Sequence, residues 1–265
     1  MKKILCLALA LLMVVACFAG CQSEKKVESD YEYVKSKGTL IVGITDFAPM
    51  DYTDEDGNWI GFDADLAKAF AKELGVEAKF VLIDWNNKTM ELDGKNIDVV
   101  WNGMTLTDAV KKAMETSNPY CNNQQVVVVR KDVAENYKTK ESLKDLKFAV
   151  EEGSAGAEQV AALEGVQYIE VLDQATALAE VQSGTSTAAV IDLLMASAML
   201  GEGTGFEDLT YTIGLNDEEY GVGFRKGSDL AAKLNDFFKK AYNDGTMENL
   251  ANLYNIDTAV IIPQE

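Results

Sequence analysis

Along the chain, short β-branched and apolar runs alternate with longer windows in which apolar positions recur every three or four residues. Thr39–Ile44, residues 79–83, 97–101 and Gln125–Arg130 carry the first pattern and predict strands. Residues 63–74, 88–92 and 107–114 carry the second and predict helices. In the window 63–74, Leu66, Phe70 and Leu74 share a face, Asp63 stands at the N-cap, and Gly75 is the stop. Asp56-Gly57 between apolar flanks predicts a hairpin over residues 51–59. Read instead as an EF-hand loop, the same acidic run would put Tyr52 at the first ligand position, which argues against calcium. A second series follows the polar stretch 131–142. Its strands are predicted at 147–150, 168–171, 188–191 and 220–225, and its helices at 155–163, 174–181, 193–200, 229–242 and 247–253. Alternation of this kind predicts an α/β protein with largely parallel sheets. Two such units joined by more than one crossing make a two-lobe, hinged architecture. Lobe 1 is expected from residues 37–128 and 222–265, lobe 2 from 129–221, and the hinge near 126–130 and 221–225.

The N-terminus reads as an address. Lys2 and Lys3 precede an apolar run over residues 4–18, short for a membrane span and suited to a secretory signal peptide over residues 1–20. Phe18-Ala19-Gly20-Cys21 resembles a bacterial lipobox, with Phe where Leu is usual. The resemblance implies lipidation, as with palmitate, of Cys21 and anchoring to the outer face of a bacterial membrane. The alternative is a signal peptide cleaved elsewhere beside an incidental Cys21. On the lipobox reading, Cys6 and Cys17 leave with the signal and Cys121 has no disulfide partner. Residues 21–36 are then the lipidated N-terminus and a polar tether.

Composition narrows the function classes. Of 265 residues, 48% are hydrophobic and 25% charged, as in ordinary globular proteins. Asp and Glu number 43 against 24 Lys and Arg, a net charge of −19 that repels phosphate backbones and excludes nucleic acid as a partner. The sequence has 0 histidines, which removes Ser-His-Asp and Cys-His catalysis and His-ligated metal. No metal, cofactor or catalytic residue is expected.

A family pattern then emerges. Gly38-Thr-Leu-Ile-Val-Gly-Ile, Phe47-Ala-Pro-Met, Gly61-Phe-Asp-Ala-Asp-Leu66, Gly103-Met-Thr-Leu-Thr107, Pro119-Tyr120, Tyr220-Gly-Val-Gly-Phe224 and Asp244-Gly-Thr246 occur in order across residues 38–255. Together they resemble the extracellular solute-binding proteins that serve polar amino-acid ABC importers. The resemblance implies a periplasmic-binding-protein-like fold whose two lobes, each a mostly parallel sheet flanked by helices, close on one amino acid or small amine. It also implies a monomer that delivers its ligand to a membrane permease.

The resemblance further implies a site. Asp192, past the strand at 188–191, matches the Asp that holds the ligand ammonium, and it would serve equally as a helix N-cap. Asn102, Gly103 and Thr105 match a segment that meets the ligand carboxylate, while Thr107 reads as a cap. Ser154, after Gly153, matches a second carboxylate contact or a cap. Phe47 and Trp85 fall where relatives place an apolar wall, and Trp85 fits the core as well. Asp46 matches a position that reads basic side chains in some relatives, or caps a loop. The family's carboxylate-binding Arg falls on Val110, which offers no donor, and Lys111 points about 100° away along the helix. A cleft that keeps Asp192 and lacks this Arg should prefer a basic amino acid or an amine. Two alternatives stand beside this reading. One is a cyclohexadienyl (prephenate or arogenate) dehydratase-like enzyme, with Glu151 or Glu152 as its acid. The other is a ligand-sensing domain.

Overall fold

The strand-forming runs sort into two sheets plus one hairpin in a computed structural model that describes residues 29–263. Residues 1–20 and Cys21 lie outside the described residues. Helix α1 (Asp30–Lys37) leads into β1 (Thr39–Ile44), then the hairpin β2 (Tyr52–Thr53) and β3 (Trp59–Ile60). Next come α2 (Phe62–Leu74), β4 (Glu77–Leu82), α3 (Lys88–Asp93), β5 (Val99–Thr105), α4 (Asp108–Ala113), β6 (Glu115–Thr116) and β7 (Cys121–Asn123). The second sheet is built from β8 (Gln125–Arg130), β9 (Lys147–Glu151), β10 (Gln167–Val171), β11 (Ala188–Asp192) and β12 (Leu209–Gly214). Between them lie α5 (Ala155–Ala161), α6 (Gln174–Ser183) and α7 (Leu193–Met199). The chain then returns as β13 (Glu218–Phe224), followed by α8 (Leu230–Asn243) and α9 (Thr246–Leu253).

In the first sheet β1 pairs in parallel with β4 and β5, and β13 closes antiparallel on β5. In the second, β9 pairs in parallel with β10 and β11, while β8 and β12 are antiparallel. Each lobe thus has a parallel core, and the antiparallel strands β7, β8, β12 and β13 flank the connections between lobes. The chain crosses between β7 and β8, and again between β12 and β13.

These crossings fall elsewhere than the sequence suggests. All of β8 belongs to the second sheet and all of β13 to the first, so neither residues 126–128 nor 218–221 sit in the lobe expected of them. The reason is burial on both faces. Val127 and Val129 join one core cluster, Val126 and Val128 another, and an unbroken apolar run carries no mark of where a lobe begins. Strand β12 is absent from the sequence reading, although Leu209, Tyr211 and Ile213 alternate with threonines.

The N-terminal tether also shortens. Residues 30–37 are helical, with Ser29 accepting from the Glu32 N–H and Gly38 ending the helix at φ 71°. Arg225 fastens this helix to lobe 1. Its Nε donates to both Asp30 oxygens at 3.0 and 3.1 Å, and its other nitrogens reach the Ile97 carbonyl at 2.7 Å and Asp98 at 3.3 Å. Asp98 is fully buried and also accepts from the Ile41 N–H at 2.8 Å.

The start of α2 also differs from the sequence expectation. Gly61, not Asp63, occupies the N-cap of α2, at φ 124°, where a Cβ would lie 2.2 Å from the Met50 carbonyl oxygen. Asp63 sits inside the first turn, fully buried, and accepts from the Gly103 N–H and the Tyr120 hydroxyl at 2.7 Å each. Burial raises its pKa to about 7 against the pull of those hydrogen bonds. It thereby holds the segment that follows Asn102.

Candidate functional site

Between the sheets lies a cavity of about 190 Å³ lined from both lobes. Phe47, Trp85, Asn102, Gly103, Thr105, Ser154 and Asp192 all line it; Asp46 does not. Asp46 is exposed beside the cleft, its pKa raised by partial burial and by the charge of Asp173 from the second lobe.

Asp192 ends β11 at the carboxyl edge of the parallel strands, where α/β sheets present ligands. Its side chain makes no capping bond to α7. Instead the buried carboxylate accepts from Tyr220 at 2.6 Å, from Gln125 at 3.0 Å, and from Asn123 and Gln174. Burial, then the nearby charge of Glu218, raises its pKa to about 7, and the hydrogen bonds oppose that rise. Tyr220 meets Phe47 edge-on with centroids 6.4 Å apart, so one aromatic wall and the carboxylate are positioned together.

The Asn102–Thr105 segment contributes mostly shape. The Asn102 side chain is spent on Thr45, accepting its N–H at 2.9 Å and donating to its hydroxyl at 2.7 Å. Gly103, at φ 56°, lets the Phe47 ring approach to where a Cβ would be 2.5 Å from Cε1. Thr105 donates to Glu218 at 2.9 Å. Ser154 caps α5 by accepting from the Ala157 N–H at 3.1 Å, and it faces the cleft as well. Trp85 combines both readings: it lines the cleft and packs in one cluster with Val100 and Val110. Val110 lines the cleft too, and Thr107 caps its helix by accepting the Val110 N–H at 3.2 Å.

Sequence reasoning missed Gln125, Gln174 and Lys88 here, and it named Glu151 only as the acid of the enzyme alternative. Gln125 and Gln174 orient Asp192. Glu151 ends β9 as Asp192 ends β11, and that shared position was the available signal. It is 4% exposed, and burial plus the Asp192 charge raise its pKa to about 8, against Gln174 and Lys88. Lys88 is 9% exposed and donates to the Trp85 and Gly153 carbonyls at 3.1 and 3.0 Å, its Nζ 4.7 Å above the Trp85 ring. Burial lowers its pKa, opposed by Glu151, Glu158 and Asp84. Nothing in the local sequence separates it from a surface lysine. Lys88–Gly153 and the 2.9 Å bond from Asn86 to Glu152 join the two lobes at the mouth of the cleft.

Among the described residues no group of three or more His, Cys, Asp or Glu is arranged to hold a metal. The cleft instead offers a desolvated carboxylate pair, one ammonium and aromatic walls, which suits non-covalent capture of a small charged solute.

Known proteins share this architecture. The chain is 31% identical over 248 residues to the L-cystine-binding protein TcyJ of Escherichia coli, covering 92% of this chain and 93% of that one. Its fold superposes on the P235GK mutant of ArgBP from T. maritima, a protein also solved arginine-bound, with a TM-score of 0.79 at 35% identity, covering 85% of this chain and 98% of that one. It matches an ancestral amino-acid-binding protein, AncCDT-1, a precursor of cyclohexadienyl dehydratase, with a TM-score of 0.79 at 33% identity, over 85% and 99% of the two chains. All three are binding proteins. The model of one family matches residues 40–256, and the chain belongs to that family, the bacterial extracellular solute-binding proteins, family 3.

Proposed function

We propose that this protein captures an amino acid between its lobes outside the cytoplasm and hands it to the permease of an ABC importer. The observation that carries the reading is Asp192, a buried carboxylate at the end of a parallel strand, pre-oriented toward the cleft by Tyr220, Gln125, Asn123 and Gln174. A ligand ammonium docking there would restore the charge partner that burial denies it. Glu151 and Glu158 line the same cleft against Lys88, the single cation among the described lining residues, so the field favours a ligand with an extra positive charge, such as a basic amino acid. The binding proteins for cystine and arginine named above support an amino-acid ligand, and the arginine binder supports a basic one.

The finer parts of the reading are a lipid on Cys21 as the membrane anchor, a monomeric protein, and ligand-driven closure about the two crossings. A thermal-shift screen of the twenty amino acids, cystine and small amines tests the core claim, since a ligand that binds only the folded state raises the melting temperature. Stabilisation by basic amino acids and not by glutamate or aspartate is expected. No shift with any of them would sink the reading. One observation favours an enzyme instead: Glu151 is a buried carboxyl with its pKa raised to about 8, as a general acid requires. Consumption of prephenate or arogenate that Glu151→Gln abolishes would establish that alternative. The acidity of the cleft, which repels such anionic substrates, weighs against it.

A further inference from the structure

We propose that Lys88 is the cation that receives the ligand's carboxylate, in place of the guanidinium that Val110 removes. The inference rests on reading the cleft as an amino-acid site.

A zwitterion enclosed in about 190 Å³ loses water at both ends, and an unpaired carboxylate there would cancel the affinity gained at the ammonium. Val110 lines the cleft with an apolar side chain and can neither donate to a carboxylate nor offset its charge. Among the described residues lining the cleft, Lys88 carries the sole positive charge. It sits on the same wall. Trp85, which the ammonium overlies at 4.7 Å, belongs with Val110 to one packed cluster.

The ammonium is also held in place. Two of its N–H groups go to neutral carbonyls, those of Trp85 and Gly153, and an ammonium has a third to give. The Trp85 contacts set its position within lobe 1, and Gly153 belongs to lobe 2, so lobe closure completes the set. Lys88, Glu151 and Asp192 line one cleft. A ligand laid from Asp192 to Lys88 puts its ammonium on the carboxylate and its carboxylate on the ammonium. An ammonium is a point donor where a guanidinium is a fork, so Lys88 also tolerates carboxylates at a wider range of angles.

The test compares each amino acid with its decarboxylated analogue: L-arginine with agmatine, L-lysine with cadaverine, and L-cystine with cystamine. Dissociation constants are measured by calorimetry for the full chain and for Lys88→Met, Lys88→Gln and Lys88→Arg. For the amino acid held most tightly, the ratio of acid affinity to amine affinity should fall at least tenfold in Lys88→Met. It should fall comparably in Lys88→Gln, which serves if the Met variant does not fold, and stay within threefold in Lys88→Arg. A ratio that does not change overturns the proposal. Equal weakening of acid and amine would make Lys88 only a latch between lobes, and no weakening would make it a bystander. Failure of the unaltered protein to bind any of the three amino acids would be a different result, removing the amino-acid reading itself and with it this role for Lys88.

Discussion

Lowering the pH from 8 to 6 should weaken the binding of a basic amino acid by an amount the buried carboxylates set. In the empty cleft Asp192 titrates at about 7 because burial and Glu218 disfavour its charge. A bound ammonium favours that charge, so binding is strongest where Asp192 is already ionised and falls as protons compete. The ionised fraction drops from about nine-tenths at pH 8 to about one-tenth at pH 6, a loss of about tenfold in affinity, or ~1.4 kcal/mol. Glu151, at about 8, goes from about half ionised to about one-hundredth over the same interval. If the ligand also requires that charge, a further loss of about 50-fold follows. Calorimetry with L-arginine at pH 6, 7 and 8, in two buffers of different ionisation enthalpy, reads both the affinity and the protons released. Asp192→Asn should remove the tenfold component and weaken binding at pH 8 by roughly 2–5 kcal/mol, the usual cost of a lost buried charge partner. An affinity that is level from pH 8 to 6, or an Asp192→Asn variant with the original slope, would refute the placement of the ammonium.

Without ligand, the sign for stability runs the other way. Asp63, Asp192 and Glu151 all have folded pKa values raised above those of the unfolded chain, so their contribution is complete below about pH 4 and is lost as the pH rises through 7 to 8. The melting temperature of the empty protein should therefore climb between pH 8 and 6, as scanning calorimetry would record. Arg225→Ala strands buried Asp30, leaves Asp98 to Lys37 alone and frees helix α1, at a cost of roughly 3–5 kcal/mol. That corresponds to a fall in melting temperature on the order of 10 °C, and a fall of under about 2 °C would show that the network is dispensable. Cys21→Ser should move the protein from the membrane fraction to the soluble fraction or leave it unprocessed; identical fractionation of both forms would end the lipid-anchor proposal.

Some of this protein is written locally. Strands β1 and β8, the α2 face of Leu66, Phe70 and Leu74 with its Gly75 stop, and the Thr107 cap follow from periodicity and capping, which depend on a few neighbouring residues. The Ser29-to-Glu32 start of α1 was equally local, but it stood in a polar stretch that composition alone presents as a tether. The place of Asp192 at the end of an apolar strand was legible for the same reason, whereas its role and the departure at Val110 were implied by the family resemblance. Tertiary structure decided the rest. Where lobe 1 ends could not be read from Val126–Val129, because residues buried on both faces lose the alternation that marks a boundary. Whether Asp63 caps a helix or anchors Gly103 depends on a residue 40 positions away. Lys88 becomes a cleft cation only because Gly153, 65 positions on, folds against it. Burial and the pairing of charges are set by what packs around a side chain, and those neighbours come from distant parts of the chain that only the folded lobes bring together.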